Sequence, residues 1–147
     1  MKVKDILKTK GRDVAAIGSD AGLVQAMQTM SEKRIGSLMV LDGGEVMGII
    51  TERDLLRCYQ TPGRVEDKKV SDFMTPADSL IVATPADSVQ YAMAMMTEHR
   101  IKHIPVFEEG HLAGLISIGD AVKAMLDQSA QQTHRLKDYI TGAYPKE

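Results

Sequence analysis

Apolar and polar positions along the chain change period in a fixed order, and that order runs twice. A short β-rich run, residues 14–17, is followed by Leu23, Ala26, Met27 and Met30, whose spacing of three and four puts them on one helix face. Two further apolar runs, 38–41 and 46–50, flank Asp42-Gly43-Gly44-Glu45, turn chemistry suited to an antiparallel hairpin. A second helix starts at Thr51 and carries Leu55, Leu56 and Tyr59. The second cycle repeats each step. It has a run at 80–83, a helix face of Val89, Ala92, Met93 and Met96, and a hairpin of 104–107 and 112–116 around Glu108-Glu109-Gly110-His111. A last helix from Ser117 carries Ala121, Val122, Met125 and Leu126. Ser19-Asp20 and Thr84-Pro85-Ala86-Asp87-Ser88 precede the first helix of each cycle, where short polar side chains cap free N–H groups.

The two cycles are copies of one unit. A shift of 66 residues aligns 14–54 with 80–120 without a gap, and 11 of 41 positions are identical. Ala26, Met27, Met30, Glu32, Arg34 and Ile35 return as Ala92, Met93, Met96, Glu98, Arg100 and Ile101; Val40, Gly44, Gly48, Ile50 and Asp54 return as Val106, Gly110, Gly114, Ile116 and Asp120. Each copy reads β-α-β-β-α, an α+β (α/β) unit. Three strands and two helices leave one apolar face uncovered, so the two units are expected to pack on each other. Residues 1–60 form the first repeat with its lead-in, 61–69 a linker marked by Pro62 and Gly63, and 70–127 the second repeat. The lead-ins match as well: Val3 to Leu7 and Val70 to Met74 both read Val-x-Asp-apolar-apolar. A helical tail, 128–147, has Leu136, Tyr139 and Ile140 at helical spacing and is expected to fold back onto the body.

Composition narrows the function. Eighteen basic and 20 acidic residues leave a net charge of −2, with no basic run to draw in nucleic acid. The longest apolar stretches are five to seven residues, far short of a membrane span, and the N-terminal residues carry no signal-like apolar core, so a cytoplasmic protein is expected. Cys58 has no second thiol to pair with and reads as a small packing residue. Of the ten methionines, Met27, Met30, Met93 and Met96 fall on core faces. His99 and His103 stand four apart, but the pattern sets one at a helix end and the other on the next strand, which argues against a metal pair. His111, in a turn, and His134, on the tail, read as solvated. There is no Walker A loop, no Gly-x-Gly-x-x-Gly after a strand and no nucleophile with a base at hand, so no enzymatic activity is expected.

The chemistry sits where the third strand of each unit runs into its second helix. Gly48-Ile49-Ile50-Thr51-Glu52-Arg53-Asp54 and Gly114-Leu115-Ile116-Ser117-Ile118-Gly119-Asp120 share Gly, two aliphatics, a hydroxyl residue and an Asp three later. A hydroxyl at a helix start can hold a phosphate, and a carboxylate one turn on can accept two hydrogen bonds from a ribose diol. The same spacing is also a capping box, which would start the helix and do nothing else. Both alternatives stand on the residues alone.

The whole repeat, with its Gly-aliphatic-aliphatic-Thr/Ser-x-x-Asp ending and the strand His103-Ile104-Pro105-Val106, resembles the tandem CBS-domain (cystathionine-beta-synthase domain) family over nearly the entire chain. The resemblance implies two repeats packed with pseudo-two-fold symmetry, often as a homodimer, that bind an adenosyl ligand and regulate another protein. The ligand would be AMP, ADP, ATP, NAD(H) or S-adenosylmethionine. It implies Thr51 and Arg53 on phosphate and Asp54 on ribose in one cleft, with Gly36, Ser37 and Leu38 framing adenine. In the other it implies Ser117 on phosphate, Asp120 on ribose and Lys102, His103, Ile104 and Pro105 around base and phosphate. Backbone near Ala15 and Ile81 would edge the base. Two departures make the clefts unequal. Met39 stands where the second copy has Pro105, and Gly119 stands where the first has Arg53, so Lys102 is expected to supply the missing cation. A purely structural dimerisation domain is the rival expectation.

Overall fold

The computed structural model describes residues 1–141, with side chains through residue 137. Helix α1 (Val3–Lys10) leads into strand β1 (Ala16–Ile17), helix α2 (Leu23–Lys33), the hairpin β2 (Ser37–Asp42) and β3 (Glu45–Thr51), and helix α3 (Glu52–Arg57). The second half runs through helix α4 (Val70–Phe73), strand β4 (Thr75–Pro76), helix α5 (Val89–Glu98), the hairpin β5 (His103–Glu108) and β6 (His111–Ser117), and helix α6 (Ile118–Thr141).

The hairpins are copies down to their irregularities. Ser37 opposes Thr51 and His103 opposes Ser117, and each ladder slips by one residue at the same place, after Val40 and after Val106. Each turn puts two consecutive residues at positive φ, Gly43 and Gly44 in one and Glu109 and Gly110 in the other, the geometry that continues the twist of paired strands. Glu109 holds at φ 51° a conformation that costs an L-residue about 1 kcal/mol.

The opening strands are weaker than their composition suggests. β1 pairs in parallel with β2 over two residues, and in the expected strand 80–83 only Ala83 bridges, to Val106. Val82 is 41% exposed, which leaves that segment short of a strand's usual burial. Ser19 and Asp20 do not cap α2, which starts from Gly22; Ser19 instead gives its backbone N–H and hydroxyl to Asp42. Ser88 does cap α5, accepting from the Tyr91 N–H at 3.0 Å.

The two lead-in helices are exchanged between the repeats. Val3, Ile6 and Leu7 of α1 are buried with Val89, Ala92, Met96, Ile104 and Ile116, the core of the second unit. Val70 and Phe73 of α4 are buried with Leu23, Ala26, Leu38 and Ile50, the core of the first. Matching backbone bonds fix each exchange. Val3 N–H donates to Asp87 O and Lys4 N–H to Pro85 O, just as Val70 N–H donates to Ala21 O and Ser71 N–H to Ser19 O. The pseudo-two-fold relation is therefore written into the backbone, and neither unit has a complete core alone.

Two expectations about packing fail. Leu56 and Tyr59 are 68% and 74% exposed, as Val122 and Leu126 of the last helix are at 42% and 64%, and Cys58, on the same turn as Tyr59, is the buried residue. α3 is short and passes into a 3-10 turn at Cys58–Gln60, which rotates the inward face onto the thiol. The tail does not fold back as far as it is described: α6 is one 24-residue helix, and residues 129–137, Leu136 included, are exposed. The side chains of Tyr139 and Ile140 lie outside the described residues.

Candidate functional site

A cleft of about 370 Å³ is lined by residues of both repeats. Gly36, Thr51, Arg53 and Asp54 line it from the first repeat; Ile81, Lys102, His103 and Pro105 line it from the second. The sequence reading grouped Thr51 with Ala15 and with Gly36, Ser37 and Leu38 of its own repeat. The fold crosses that grouping, setting the Thr51 motif against the strand starts of the other copy. Ser37 and Leu38 are buried at 3% and 0%, and Ile104 at 0%, so their side chains belong to the packed interior and only their backbone could meet a ligand. Ala15 is half-buried beside the first core, and its carbonyl accepts from the Met39 N–H.

Four contacts set the chemistry at Thr51. Asp54 Oδ2 accepts from the Thr51 N–H at 2.9 Å and from the Thr51 hydroxyl at 3.1 Å, while Oδ1 pairs with the Arg57 guanidinium at 3.2 Å. The capping box is thus formed, and the carboxylate, buried on the cleft wall, keeps lone pairs for further donors. Arg53 donates to the Arg100 carbonyl at 2.8 Å, a bond that crosses between repeats. Arg100 and its counterpart Arg34 both sit at positive φ, 56° and 53°, at the end of their helices, where glycine is the cheaper residue. Within the pocket, a Cβ on Gly36 would stand 3.1 Å from the His103 ring and 3.4 Å from the Glu52 carboxyl. A side chain at that position would require the His103 ring to give way by a few tenths of an ångström. Burial lowers the His103 pKa from the usual imidazole value, and the nearby Lys10 and Lys102 charges lower it further against the pull of Glu52 and Asp120.

The same motif in the second repeat meets different neighbours. Asp120 Oδ2 accepts from the Ser117 N–H at 2.8 Å, and the Ser117 hydroxyl accepts from the Asp120 N–H at 3.0 Å, so the capping box recurs. Lys102, expected to supply a cation here, lines the Thr51 cleft instead. The ammonium at Asp120 comes from Lys10 at 2.6 Å. Burial raises the Asp120 pKa, but the Lys10 ammonium and the Ser117 N–H outweigh it and leave the carboxyl below its usual range. Lys10 went unseen because nothing around it resembles a motif. Its signal is an asymmetry: alignment of the lead-ins places Ala77 where the first half has Lys10.

The model for the CBS domain matches residues 3–61 and again residues 70–127, which is most of the chain. The chain belongs to the CBS-domain family. The mitochondrial CBS domain-containing protein CBSX3 of Arabidopsis thaliana is 39% identical over 152 residues, spanning 97% of this chain and 73% of that one. The crystal structure of the CBS-domain containing protein ATU1752 from Agrobacterium tumefaciens superposes with a TM-score of 0.80 at 40% identity, covering 85% of this chain and 99% of that one. CBSX2, crystallised in complex with AMP, shares the fold at TM-score 0.70 and 21% identity, covering 87% of this chain and 98% of that one. Among the described residues no group of three or more His, Cys, Asp and Glu side chains is placed to hold a metal ion, and no helix is long and apolar enough to cross a membrane.

Proposed function

We propose that this CBS-domain pair is a regulatory module that binds an adenosine nucleotide in the cleft between its repeats and reports energy or redox state to a partner protein. The observation that carries this is the convergence of a hydroxyl, a guanidinium and a carboxylate from one repeat on Ile81, His103 and Pro105 from the other. Thr51 and Arg53 suit a phosphate, Asp54 suits a ribose diol, and Ile81 and Pro105 offer a flat apolar wall to a base. AMP is the simplest ligand with all three parts, and ADP, ATP, NAD(H) and S-adenosylmethionine share its adenosine. A ligand that touches both repeats favours the one arrangement in which both sets of contacts are made, and that preference is what a partner can read. We assign it no catalytic role and place it in the cytoplasm.

A panel of these ligands in a thermal-shift assay tests the reading. Ligand at a hundred times its dissociation constant adds about 2.7 kcal/mol, which raises the midpoint of a domain this size by about 5–11 °C. No shift with any of them leaves a structural dimerisation module, in which Asp54 and Asp120 act as helix caps and nothing more. One observation favours a second copy in either case: Leu56 on α3 and its counterpart Val122 on α6 are both exposed, 68% and 42%. Sedimentation of the free chain as a monomer would remove that part of the proposal.

A further inference from the structure

We propose that Lys10 decides which of the two pseudo-equivalent clefts takes nucleotide: its ammonium holds the Asp120 carboxylate and shuts the Ser117 cleft, so the chain carries one working site, at Thr51. The inference rests on the nucleotide reading above and adds its stoichiometry and the residue responsible.

The two halves differ most in how far their exchanged lead-in runs. α1 is eight residues long and ends on Lys10, whose Nζ donates to Leu115 O at 2.7 Å and to Asp120 Oδ2 at 2.6 Å. α4 has only four residues, after which the chain leaves as β4 and pairs with β3 at Gly48 and Ile49. Ala77, the counterpart of Lys10, therefore brings no charge to Asp54. α1 is anchored where it lies. Leu7, 2% exposed, packs so closely on Gly114 that a Cβ there would stand 2.6 Å from its Cδ2.

At Asp120 a single oxygen, Oδ2, takes both the Lys10 ammonium and the Ser117 N–H, so a ribose diol is left with Oδ1 beside a full charge already in place. At Asp54 the counter-charge is Arg57 from the same short helix, tethered to the Phe73 carbonyl at 2.7 Å, and Asp54 still lines an open cleft. The opposite wall adds to the difference. Met39, fully buried, stands where the open cleft has Pro105, so its position offers no proline ring to a base.

Calorimetric titration of AMP into the intact chain and into Lys10→Met decides the matter, with Lys10→Gln as a second variant in case the first misfolds. The inference expects one AMP per chain in the unaltered protein, two in the variant, and a return to one when Asp120→Ala is added to Lys10→Met. Two sites in the unaltered chain, or one site in both proteins, overturns it while the nucleotide reading survives. Two sites falling to one in Lys10→Met would make Lys10 a phosphate ligand and overturn it too. No binding to any of these proteins refutes the nucleotide reading itself, and the inference falls with it.

Discussion

Leu7→Ala probes the exchanged lead-ins, because it removes a side chain from the first ten residues yet should damage the far half of the molecule. Leu7 is 2% exposed and sits among Val89, Ala92, Met96 and Ile116. Burial that complete puts the loss in the range of about 2–5 kcal/mol for a buried leucine truncated to alanine. Gly114, on which the lost methyls pack closely, has no side chain to swing into the gap, so a value of roughly 3 kcal/mol is expected rather than the lower limit. For a chain of this length that lowers the thermal midpoint by about 6–12 °C. Urea unfolding gives the free energy, and hydrogen exchange read by peptide locates it: protection should fall in β5, β6 and α5 before it falls in β2 and β3. A loss below about 1 kcal/mol, or deprotection confined to the first repeat, would refute the exchange.

Gly48→Ala and Gly114→Ala make a matched pair. The first sets a methyl against the Thr75 backbone carbonyl, which cannot move without breaking the β3–β4 pairing, and should cost about 1–3 kcal/mol; the second meets only the flexible end of Leu7 and should cost less. Equal midpoints for the two variants would contradict this. His103 makes stability depend on pH. Its folded pKa lies below the unfolded one, so the unfolded chain binds the extra proton, and stability should decline as pH falls from the ordinary imidazole range through the lowered value. His103→Gln should flatten that slope in urea melts at a series of pH values. The sign reverses for ligand: a phosphate in the cleft raises the His103 pKa, so AMP affinity should grow on acidification by up to about tenfold per unit of difference, and His103→Gln should lose that part of the growth.

What could be read from the chain was whatever repeats locally. The first helix face of each copy, the two hairpins and the Thr/Ser-x-x-Asp motif follow from spacings within about twenty residues, and these appear where expected. What could not be read depends on where one unit lies against the other. Val3 to Leu7 and Val70 to Met74 carry the same pattern, so nothing local says that each serves the opposite core. The same gap misgrouped the site, since Thr51 shares a cleft with His103 and Pro105 only through the packing of one unit on the other. Leu56 and Tyr59 misled for a different reason: an apolar residue at helical spacing is a core candidate only if something covers it, and among the described residues both stay largely exposed.

The central claim is that Asp54, on the wall shared by the two repeats, grips the ribose of a bound adenosine nucleotide. Calorimetric titration of AMP into the intact chain and into Asp54→Ala measures it directly. Loss of two hydrogen bonds to a carboxylate, on the order of 3 kcal/mol together, predicts an affinity lower by roughly a hundredfold. AMP that binds both proteins equally well would contradict the account.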